Sequence, residues 1–245
     1  MGQKVALVTG GTGGIGEAIC KRLNSDGYKV VAGFNNKEKA QAWQITQKEN
    51  GMNIDIVHCP VTDFDACGKA IQWVEDNVGP IDILVNNAGI TKDGMFKKMT
   101  IDRWDAVIDT NLNSVFNTTR QVFEGMCDRG FGRIINVSSV NGQRGQMGQC
   151  NYSASKAGMH GFTKSLSREV ARKGVTVNTI SPGYVATPMV LAIADDVLKQ
   201  IESGIPLGRL CTPEEVAHGA SFLASDLAGY TTGAEISMNG GMFMH

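Results

Sequence analysis

A tyrosine and a lysine four residues apart form the first pair in the sequence that could do chemistry. Tyr152 and Lys156 fall within a predicted helix, where residues at this spacing lie on the same face. A free tyrosine has a pKa of about 10 and is a poor proton donor or acceptor at neutral pH. A neighbouring ammonium group favours the phenolate and lowers that pKa toward the range that general acid catalysis requires. Because such pairs are also common on ordinary helices, this one needs support from the rest of the chain.

A glycine-rich segment follows the first predicted strand and leads directly into a predicted helix. Its spacing, Gly11-x-Gly13-x-x-Gly16, matches the dinucleotide-binding fingerprint. Glycines allow the backbone to approach a pyrophosphate, and the helix N-terminus offers unpaired N–H groups to it. A tight turn without a ligand is the alternative, and the strand–turn–helix position favours the dinucleotide. The residues predicted to bind its phosphates are Gly10, Gly11, Thr12, Gly13, Gly14, Ile15 and Gly16.

Short apolar runs alternate with helical patterns along the whole chain. The predicted strands are Lys4–Thr9, Tyr28–Phe34, Ile54–Cys59, Ile81–Val85, Arg133–Val137, Val175–Ile180 and Glu235–Met238. The predicted helices are Gly14–Asp26, Lys37–Asn50, Asp63–Val78, Ile101–Met126, Tyr152–Lys173 and Pro213–Ala224. This alternation predicts one α/β domain over residues 1–245, a doubly wound (Rossmann) seven-stranded parallel sheet with helices on both faces.

The segment that follows the sixth predicted strand is the irregular part of the chain. Residues 184–210 carry Pro188, Gly204, Pro206 and Gly208, which interrupt regular structure. Ligands of open α/β sheets bind outside the carboxyl ends of the strands. We therefore predict a substrate lid at about 184–210, with a surface loop containing one stray helix as the alternative.

The composition excludes several other classes of protein. The 245 residues carry 23 basic and 24 acidic side chains, so they lack the basic excess that nucleic-acid or membrane-surface binding requires. The six cysteines show neither CxxC spacing nor a histidine at ligand spacing, so we predict no metal site and interpret them as small core residues. No apolar run approaches the ~18 residues of a membrane span, which favours a cytoplasmic protein. His160 and His218 fall on predicted helices and are interpreted as structural.

Further motifs occur in a fixed order along the chain. They are Thr9-Gly10 with Gly14 and Gly16, Asn86-Asn87-Ala88-Gly89 after the fourth strand, Asn111, Ser139, Tyr152-x-x-x-Lys156, and Ser181-Pro182-Gly183 at the end of the sixth strand. In type, order and spacing, these motifs resemble those of the short-chain dehydrogenase/reductase family. The resemblance extends over essentially the whole chain.

The resemblance implies an oxidoreductase in which a nicotinamide cofactor carries the hydride and the protein supplies a proton. It implies that Tyr152 donates this proton, while Lys156 lowers the tyrosine pKa and holds the nicotinamide ribose. Ser139 would hydrogen-bond the substrate carbonyl, and Asn111 would anchor a water relay. Further cofactor contacts implied by the resemblance are Asn87, Ala88, Gly89, Pro182, Gly183, Val185 and Thr187.

The end of the second strand bears on the choice between NADPH and NADH. NAD sites usually place a carboxylate there for the ribose 2′-OH, and residues 33–36 contain none. Asn35, Lys37 and Lys39 stand where a 2′-phosphate would bind, so we predict NADPH; Glu38 keeps NADH as the alternative. Family members that bind the phosphate often have an arginine where this chain has Gly13. Pro60 replaces the family's usual adenine contact, which leaves main chain, Val61 or Asp63 for that role.

Two segments point to the substrate. The loop between Ser139 and Tyr152 and the segment Pro182–Thr187 resemble the branch of the family that reduces acetoacetyl-CoA with NADPH in polyhydroxybutyrate synthesis. This resemblance implies an (R)-3-hydroxybutyryl-CoA product and a homotetramer. The implied substrate contacts are Lys92, Ser139, Gln146, Gln149, Tyr152 and Tyr184. Pro188 departs from the acidic residue that is common at its position in the family.

Two other functions compete with this prediction. Reduction of a 3-oxoacyl group on acyl-carrier protein is the same chemistry on another thioester. An enzyme that binds an acidic carrier protein is expected to have a basic patch at the mouth of its pocket. This nearly neutral chain shows no obvious cluster of basic residues. A non-catalytic NADP-binding sensor is the second alternative, which the intact set Asn111, Ser139, Tyr152 and Lys156 disfavours.

Overall fold

Parallel strands form the central sheet of the computed structural model, which describes residues 2–244. Within these residues the strands are β1 (Val5–Val8), β2 (Lys29–Phe34), β3 (Ile54–His58), β4 (Ile81–Asn86), β5 (Gly132–Val137), β6 (Val175–Pro182) and β7 (Glu235–Met238). Their order across the sheet is β3-β2-β1-β4-β5-β6-β7, and each neighbouring pair is parallel. Every residue of β1, β5 and β6 is buried, as expected for a parallel sheet covered on both faces.

Helices cover the two faces of the sheet. The α-helices of residues 2–244 are α1 (Gly14–Ser25), α2 (Lys37–Glu49), α3 (Phe64–Asn77), α4 (Ile101–Ile108), α5 (Ser114–Arg129), α6 (Val140–Arg144), α7 (Cys150–Val170), α8 (Pro188–Leu191), α9 (Asp195–Ser203) and α10 (Pro213–Ala224). Leu23 of α1 and Val216 of α10 belong to one apolar core, whereas Ile71 of α3 and Met126 of α5 belong to a second. Alternate residues of β1 enter the two cores, so the cores lie on opposite faces. The predicted doubly wound fold is therefore confirmed.

Side-chain caps determine where two of these helices begin. Asp63 Oδ1 accepts a hydrogen bond from the backbone N–H of Ala66 (2.9 Å) at the start of α3. Thr212 and Glu215 form a capping box at the start of α10. Each cap satisfies an N–H group that the first turn of a helix leaves unpaired.

The long helix predicted at Ile101–Met126 is interrupted in the structure. It consists of α4, a π-helical turn at Asp109–Asn113, and α5. A π turn adds one residue to the helical repeat and leaves no signature in the apolar periodicity, and such turns are frequent at functional sites. Asn111 lies in this turn and is fully buried.

The segment after β6 is more regular than the sequence indicates. Residues 184–210 contain the helices α8 and α9, so the segment is irregular only in its remaining parts. Pro188 is the first residue of α8, where its missing N–H would have had no helical partner. The proline that departs from the family pattern therefore begins a helix.

The cysteines do not all lie in the core. Cys20, Cys59 and Cys67 are buried, as expected, whereas Cys150 is exposed at the first residue of α7. The core interpretation is wrong for Cys150 because the start of α7 faces solvent at this position. Within residues 2–244, none of the helices is both long enough and apolar enough to cross a membrane.

Candidate active site

The turn between β1 and α1 has no room for a side chain at Gly11 or Gly16. A Cβ on Gly16 would lie 2.2 Å from the carbonyl oxygen of Gly10, well inside van der Waals contact. Gly10 and Gly14 have φ angles of 61° and 53°, in the left-handed region that favours glycine. Within the described residues no side chain caps the start of α1, so its first N–H groups and positive dipole end can bind an anion. This turn can hold the pyrophosphate of a dinucleotide.

Thr9 links this turn to the loop after β4 by hydrogen bonds. Its Oγ1 accepts hydrogen bonds from the backbone N–H groups of Asn87 and Ala88, both at 3.0 Å. In return, the Asn87 side chain donates to the carbonyl oxygens of Thr9 (3.0 Å) and Gly10 (3.2 Å). The ends of β1 and β4 therefore form one rigid surface at the carboxyl edge of the sheet.

Asn111 connects the β4 loop with α7. Its Oδ1 accepts from the backbone N–H of Ile90 (2.8 Å), and its Nδ2 donates to the Ile90 carbonyl (3.0 Å) and to Ser155 Oγ (3.2 Å). A Cβ on Gly89 would lie 3.3 Å from Asn111 Oδ1 and 3.5 Å from Lys156 Nζ. The β4 loop, the π turn and the lysine of α7 thus meet at one point.

Tyr152, Lys156 and Ser139 lie together beside that point. Lys156 Nζ is 5.6 Å from the Tyr152 ring centroid and donates to the carbonyl oxygen of Val137 (2.8 Å). Burial of its ammonium group lowers the pKa of Lys156 to about 8. Burial also raises the pKa of Tyr152, while a hydrogen bond with the Ser139 side chain lowers it and the charge of Asp93 raises it further.

The pKa of the tyrosine therefore differs from the sequence expectation. Burial of Tyr152 outweighs the stabilisation of its phenolate, and the interaction that lowers the pKa comes from Ser139. The Lys156 ammonium group instead donates to the backbone of β5. Its distance of 5.6 Å from the ring centroid still leaves it close enough to favour the phenolate when a proton leaves.

Asn151, which the sequence analysis missed, sets the position of Tyr152. Its Nδ2 donates to the carbonyl oxygens of Lys92 and Arg103, both at 3.1 Å, and its Oδ1 accepts from the Tyr152 N–H (2.8 Å). The side chain is fully buried, so these bonds are shielded from water. Its position directly before the tyrosine is the one signal the sequence offers.

Gln149 bridges two loops next to the tyrosine. Its Oε1 accepts from Asn141 Nδ2 (2.9 Å), and its Nε2 donates to Asp93 Oδ2 (2.8 Å). Gln146 lies one turn earlier, where its Oε1 accepts a longer bond of 3.4 Å from the Arg144 side chain. The two glutamines present amide groups that can bind thioester or ketone oxygens without adding charge. Asp93 is a second residue that the sequence analysis missed.

The segment 184–210 approaches both the glycine-rich turn and the C-terminal part of the chain. A Cβ on Gly14 would lie 3.5 Å from Thr187 Cγ2, so the start of this segment covers the turn. Tyr184 is half-buried and borders a cavity of about 590 Å³. The cavity is lined by Gly183, Tyr184, Ile205, Pro206, Leu207, Arg209, Cys211, Glu215, Ser237, Met238, Asn239, Gly240, Gly241 and Met244.

A second cavity lies at the far edge of the sheet, between α2 and α3. Its volume is about 620 Å³, and Lys37, His58 and Lys69 contribute basic groups to its lining. Asn35 and Lys39 are exposed near it. This edge therefore combines the predicted lysines at the start of α2 with two basic side chains that the sequence analysis did not select.

Comparison with known proteins identifies the family. Residues 4–197 match the family model described as short chain dehydrogenase. The chain belongs to the short-chain dehydrogenase family. It is 58% identical to the acetoacetyl-CoA reductase of Allochromatium vinosum over 99% of each chain, and 55% identical to that of Cupriavidus necator over 100% of each. It is 44% identical to the 3-oxoacyl-[acyl-carrier-protein] reductase of Vibrio harveyi over 98% of each.

The four candidate catalytic residues of this short-chain dehydrogenase come together, although they lie in different segments of the chain. Asn111, Ser139, Tyr152 and Lys156 form one cluster, and the glycine-rich turn and Gly89 adjoin it. Membership of this family makes the chain an oxidoreductase that uses a nicotinamide cofactor.

The remaining predicted site residues of the short-chain dehydrogenase are less uniform in their placement. Pro182 and Val185 are buried, and Val185 forms a β-bridge with Cys211. Lys92 is exposed, and its carbonyl rather than its ammonium group makes the contact with Asn151. Asn35 and Lys37 follow β2, which lies three strands from β5 and four strands from β6 in the sheet.

Proposed function

We propose that this short-chain dehydrogenase reduces the 3-oxo group of acetoacetyl-CoA to give (R)-3-hydroxybutyryl-CoA, with NADPH as the reductant. The arrangement of Ser139, Tyr152 and Lys156 beside the glycine-rich turn is the observation that carries this proposal. It brings a proton donor, a hydrogen-bond donor for a carbonyl and a buried cation to one point. Full-length relatives named acetoacetyl-CoA reductase support the choice of substrate and a place in polyhydroxybutyrate synthesis.

The catalytic roles follow from the chemistry of each side chain. Ser139 would donate a hydrogen bond to the substrate carbonyl, and Tyr152 would give its proton to the oxygen as negative charge develops there. Lys156 would stabilise the phenolate that remains, and Asn111 would hold a water through which the tyrosine regains a proton. The bound cofactor supplies the hydride.

The chain's own groups fit a nicotinamide dinucleotide. Backbone N–H groups of residues 10–16 would hold the pyrophosphate, because the space beside Gly13 is open and no side chain of the described residues caps the start of α1. Lys156, Asn87, Ala88 and Gly89 would contact the nicotinamide side, together with Thr187 from the proposed lid. Pro182, Gly183 and Val185 would support this side from the end of β6.

Polar groups around the tyrosine would recognise the acetoacetyl group. Gln149 and Gln146 would offer amides from the α6–α7 loop, and Tyr184 would offer a phenol from the segment after β6. Lys92, which is exposed at the rim, would meet a CoA phosphate. Groups with both donor and acceptor capacity suit a substrate that carries a ketone and a thioester oxygen.

The preference for NADPH is expected to depend on the lysines at the start of α2. The double variant Lys37→Ala/Lys39→Ala should raise the KM for NADPH about tenfold, because hydrogen bonds to a charged phosphate contribute roughly 1.5–3 kcal/mol. The KM for NADH should hardly change, since NADH carries no 2′-phosphate. Steady-state kinetics with both cofactors measures the difference.

Lys48→Ala is the matched control for this prediction, because Lys48 is also exposed but lies in the last turn of α2. It should leave the KM for NADPH unchanged. Equal losses with NADPH and NADH in the double variant would contradict recognition of the 2′-phosphate by these lysines.

The pH dependence of reduction should follow the charge of Lys156. Burial lowers its pKa to about 8, so the side chain is charged below that pH and neutral above it. Its positive charge helps Tyr152 to release a proton, and kcat/KM for reduction should therefore fall as pH rises through about 8. A profile that stays flat from neutral pH to well above the Lys156 pKa would contradict this role.

A substrate panel tests the proposed function directly. Acetoacetyl-CoA and acetoacetyl-acyl-carrier protein are each supplied with NADPH or NADH, and cofactor oxidation is followed by absorbance. We expect the highest kcat/KM with acetoacetyl-CoA and NADPH, and an (R) product on chiral analysis. Turnover restricted to the carrier-protein substrate would overturn the choice of thioester, and binding of NADPH without turnover of any ketone would indicate a sensor.

We also propose a cytoplasmic homotetramer with one domain per chain and a lid at about 184–210. Exposed apolar side chains support the assembly, because monomers rarely leave such groups uncovered in clusters. Leu227 and Tyr230 are almost completely exposed near the end of α10, and the rings of Phe64 and Phe116 stack at 5.9 Å while both are exposed. Sedimentation velocity distinguishes a tetramer from a monomer.

A further inference from the structure

A second polar cluster lies behind the candidate catalytic residues, between α7 and the last two strands. His160 Nε2 is 2.8 Å from Ser138 Oγ, 3.1 Å from Glu235 Oε1 and 3.4 Å from Ser181 Oγ. Only 12% of the His160 side chain and 14% of the Glu235 side chain are exposed. The four residues come from α7, β6, β7 and the end of β5, so no short sequence motif contains them.

The hydrogen bonds of this cluster fix the direction of each donor. Ser138 Oγ donates to the Lys156 carbonyl (2.9 Å), and Ser181 Oγ donates to Glu235 Oε1 (2.7 Å). Both hydroxyl protons are therefore used, and the short contacts of His160 Nε2 require a proton on that nitrogen. The Nε2–H group donates to Ser138 Oγ and Glu235 Oε1, and it does so in the neutral Nε2–H tautomer and in the imidazolium form alike.

Ser138 connects this cluster to the candidate active site from two sides. It directly precedes Ser139, whose side chain lowers the pKa of Tyr152, and its hydroxyl binds the carbonyl of Lys156. Its backbone N–H also donates to the Ile180 carbonyl (2.8 Å) of β6. A single residue thus fixes the end of β5 against the turn of α7 that carries the lysine.

We infer that His160 and Glu235 are positioning residues, which hold Ser138 so that Ser139 and Lys156 stay aligned with Tyr152. The inference rests on the proposed function, because those three residues are its catalytic groups. Glu235 orients the imidazole from β7, the imidazole binds the Ser138 hydroxyl, and that hydroxyl holds α7 in register with the end of β5. The histidine that the sequence analysis interprets as structural therefore acts on the geometry of the reaction.

Two substitutions of His160 separate positioning from packing. His160→Leu fills the space but removes the N–H donor, whereas the amide of His160→Gln can present an N–H group at the same place. We expect kcat with acetoacetyl-CoA to fall roughly 10- to 100-fold in His160→Leu, since a displacement of about 1 Å at a reacting group can cost a hundredfold. The KM for the thioester and the Kd for NADPH should stay within about threefold of wild type. His160→Gln should recover most of the lost kcat.

His218→Gln is the matched control, because His218 is exposed on α10 and contacts Arg22 of α1 (3.0 Å). The His218→Gln variant should have the wild-type kcat with acetoacetyl-CoA. A folded His160→Leu protein with wild-type kcat would overturn the inference, and so would equal losses in the leucine and glutamine variants. If His160→Leu fails to fold, Ser138→Ala replaces it as the test, because it removes the bridging hydroxyl. Ser138→Ala should lower kcat by a similar factor. An unchanged kcat in this variant would overturn the inference.

A measurement that needs no substrate can distinguish a failure of this inference from a failure of the proposed function. Ultraviolet titration, with Tyr152→Phe subtracted, reports the phenol of Tyr152, which faces Ser139, Asp93 and Lys156. Loss of the His160 donor should loosen the Ser139 hydrogen bond and raise the pKa of Tyr152. If wild type reduces no 3-oxoacyl thioester, the proposed function fails while this shift still supports positioning. An unchanged pKa of Tyr152 in a folded His160→Leu or Ser138→Ala protein would contradict the positioning role.

Discussion

Replacement of Tyr152 by phenylalanine should lower kcat for reduction roughly a thousandfold, within the 10²–10⁴-fold range of a lost general acid. The phenol is the group that Ser139 hydrogen-bonds and that Lys156 approaches, and phenylalanine removes its oxygen alone. The ring keeps its place on α7 because Asn151 holds the backbone N–H, not the hydroxyl. Unfolding temperature and the Kd for NADPH should therefore stay close to wild type.

Tyr28→Phe is the control for this substitution. Tyr28 lies just before β2, at the amino edge of the sheet, and its hydroxyl donates to the Ala224 carbonyl (3.3 Å). Removal of this hydroxyl should leave kcat unchanged. A Tyr152→Phe protein that turns over at nearly the wild-type rate would refute the assignment of the proton donor.

The sheet could be predicted from the sequence because its signal is local. The strands β1, β4 and β5 each contain consecutive apolar residues, and each is followed by a turn or polar motif that ends it. The π turn around Asn111 and the helices α8 and α9 could not be predicted in the same way. Their conformation depends on what they pack against, such as Ile90 for Asn111, and not on a repeating pattern of their own.

The residues of the candidate site also differ in whether the local sequence could predict them. Tyr152, Lys156 and Ser139 could be selected because their types and spacing follow a motif. Asn151 and His160 could not, because most of their polar contacts join residues between 21 and 75 positions apart in the chain. Such contacts exist only after the strands have assembled. The direction of the pKa shift of Tyr152 could not be predicted from the sequence either, because it depends on how deeply the folded protein buries the phenol.

Gly16→Ala is the substitution for which we expect the largest loss of cofactor binding. The added Cβ would lie 2.2 Å from the Gly10 carbonyl oxygen and 2.6 Å from Asn87 Nδ2, so α1 or the turn must move. Overpacking of this kind costs about 1–3 kcal/mol of unfolding free energy. The displaced N–H groups should lose one or two hydrogen bonds to the phosphates, which raises the Kd for NADPH roughly 10- to 100-fold or more.

Gly161→Ala provides the comparison, because it makes the same chemical change in a helix at an open position. Within the described residues, a Cβ at Gly161 of α7 meets no atom within 4 Å, and alanine there should be neutral or stabilise by up to about 1 kcal/mol. Urea unfolding and NADPH fluorescence titration of the two variants measure both effects. Only Gly16→Ala should weaken NADPH binding, since only its Cβ enters the space between β1, the β4 loop and α1. Wild-type affinity in Gly16→Ala would mean that the phosphates bind elsewhere, because the turn cannot keep its present geometry with a side chain at that position.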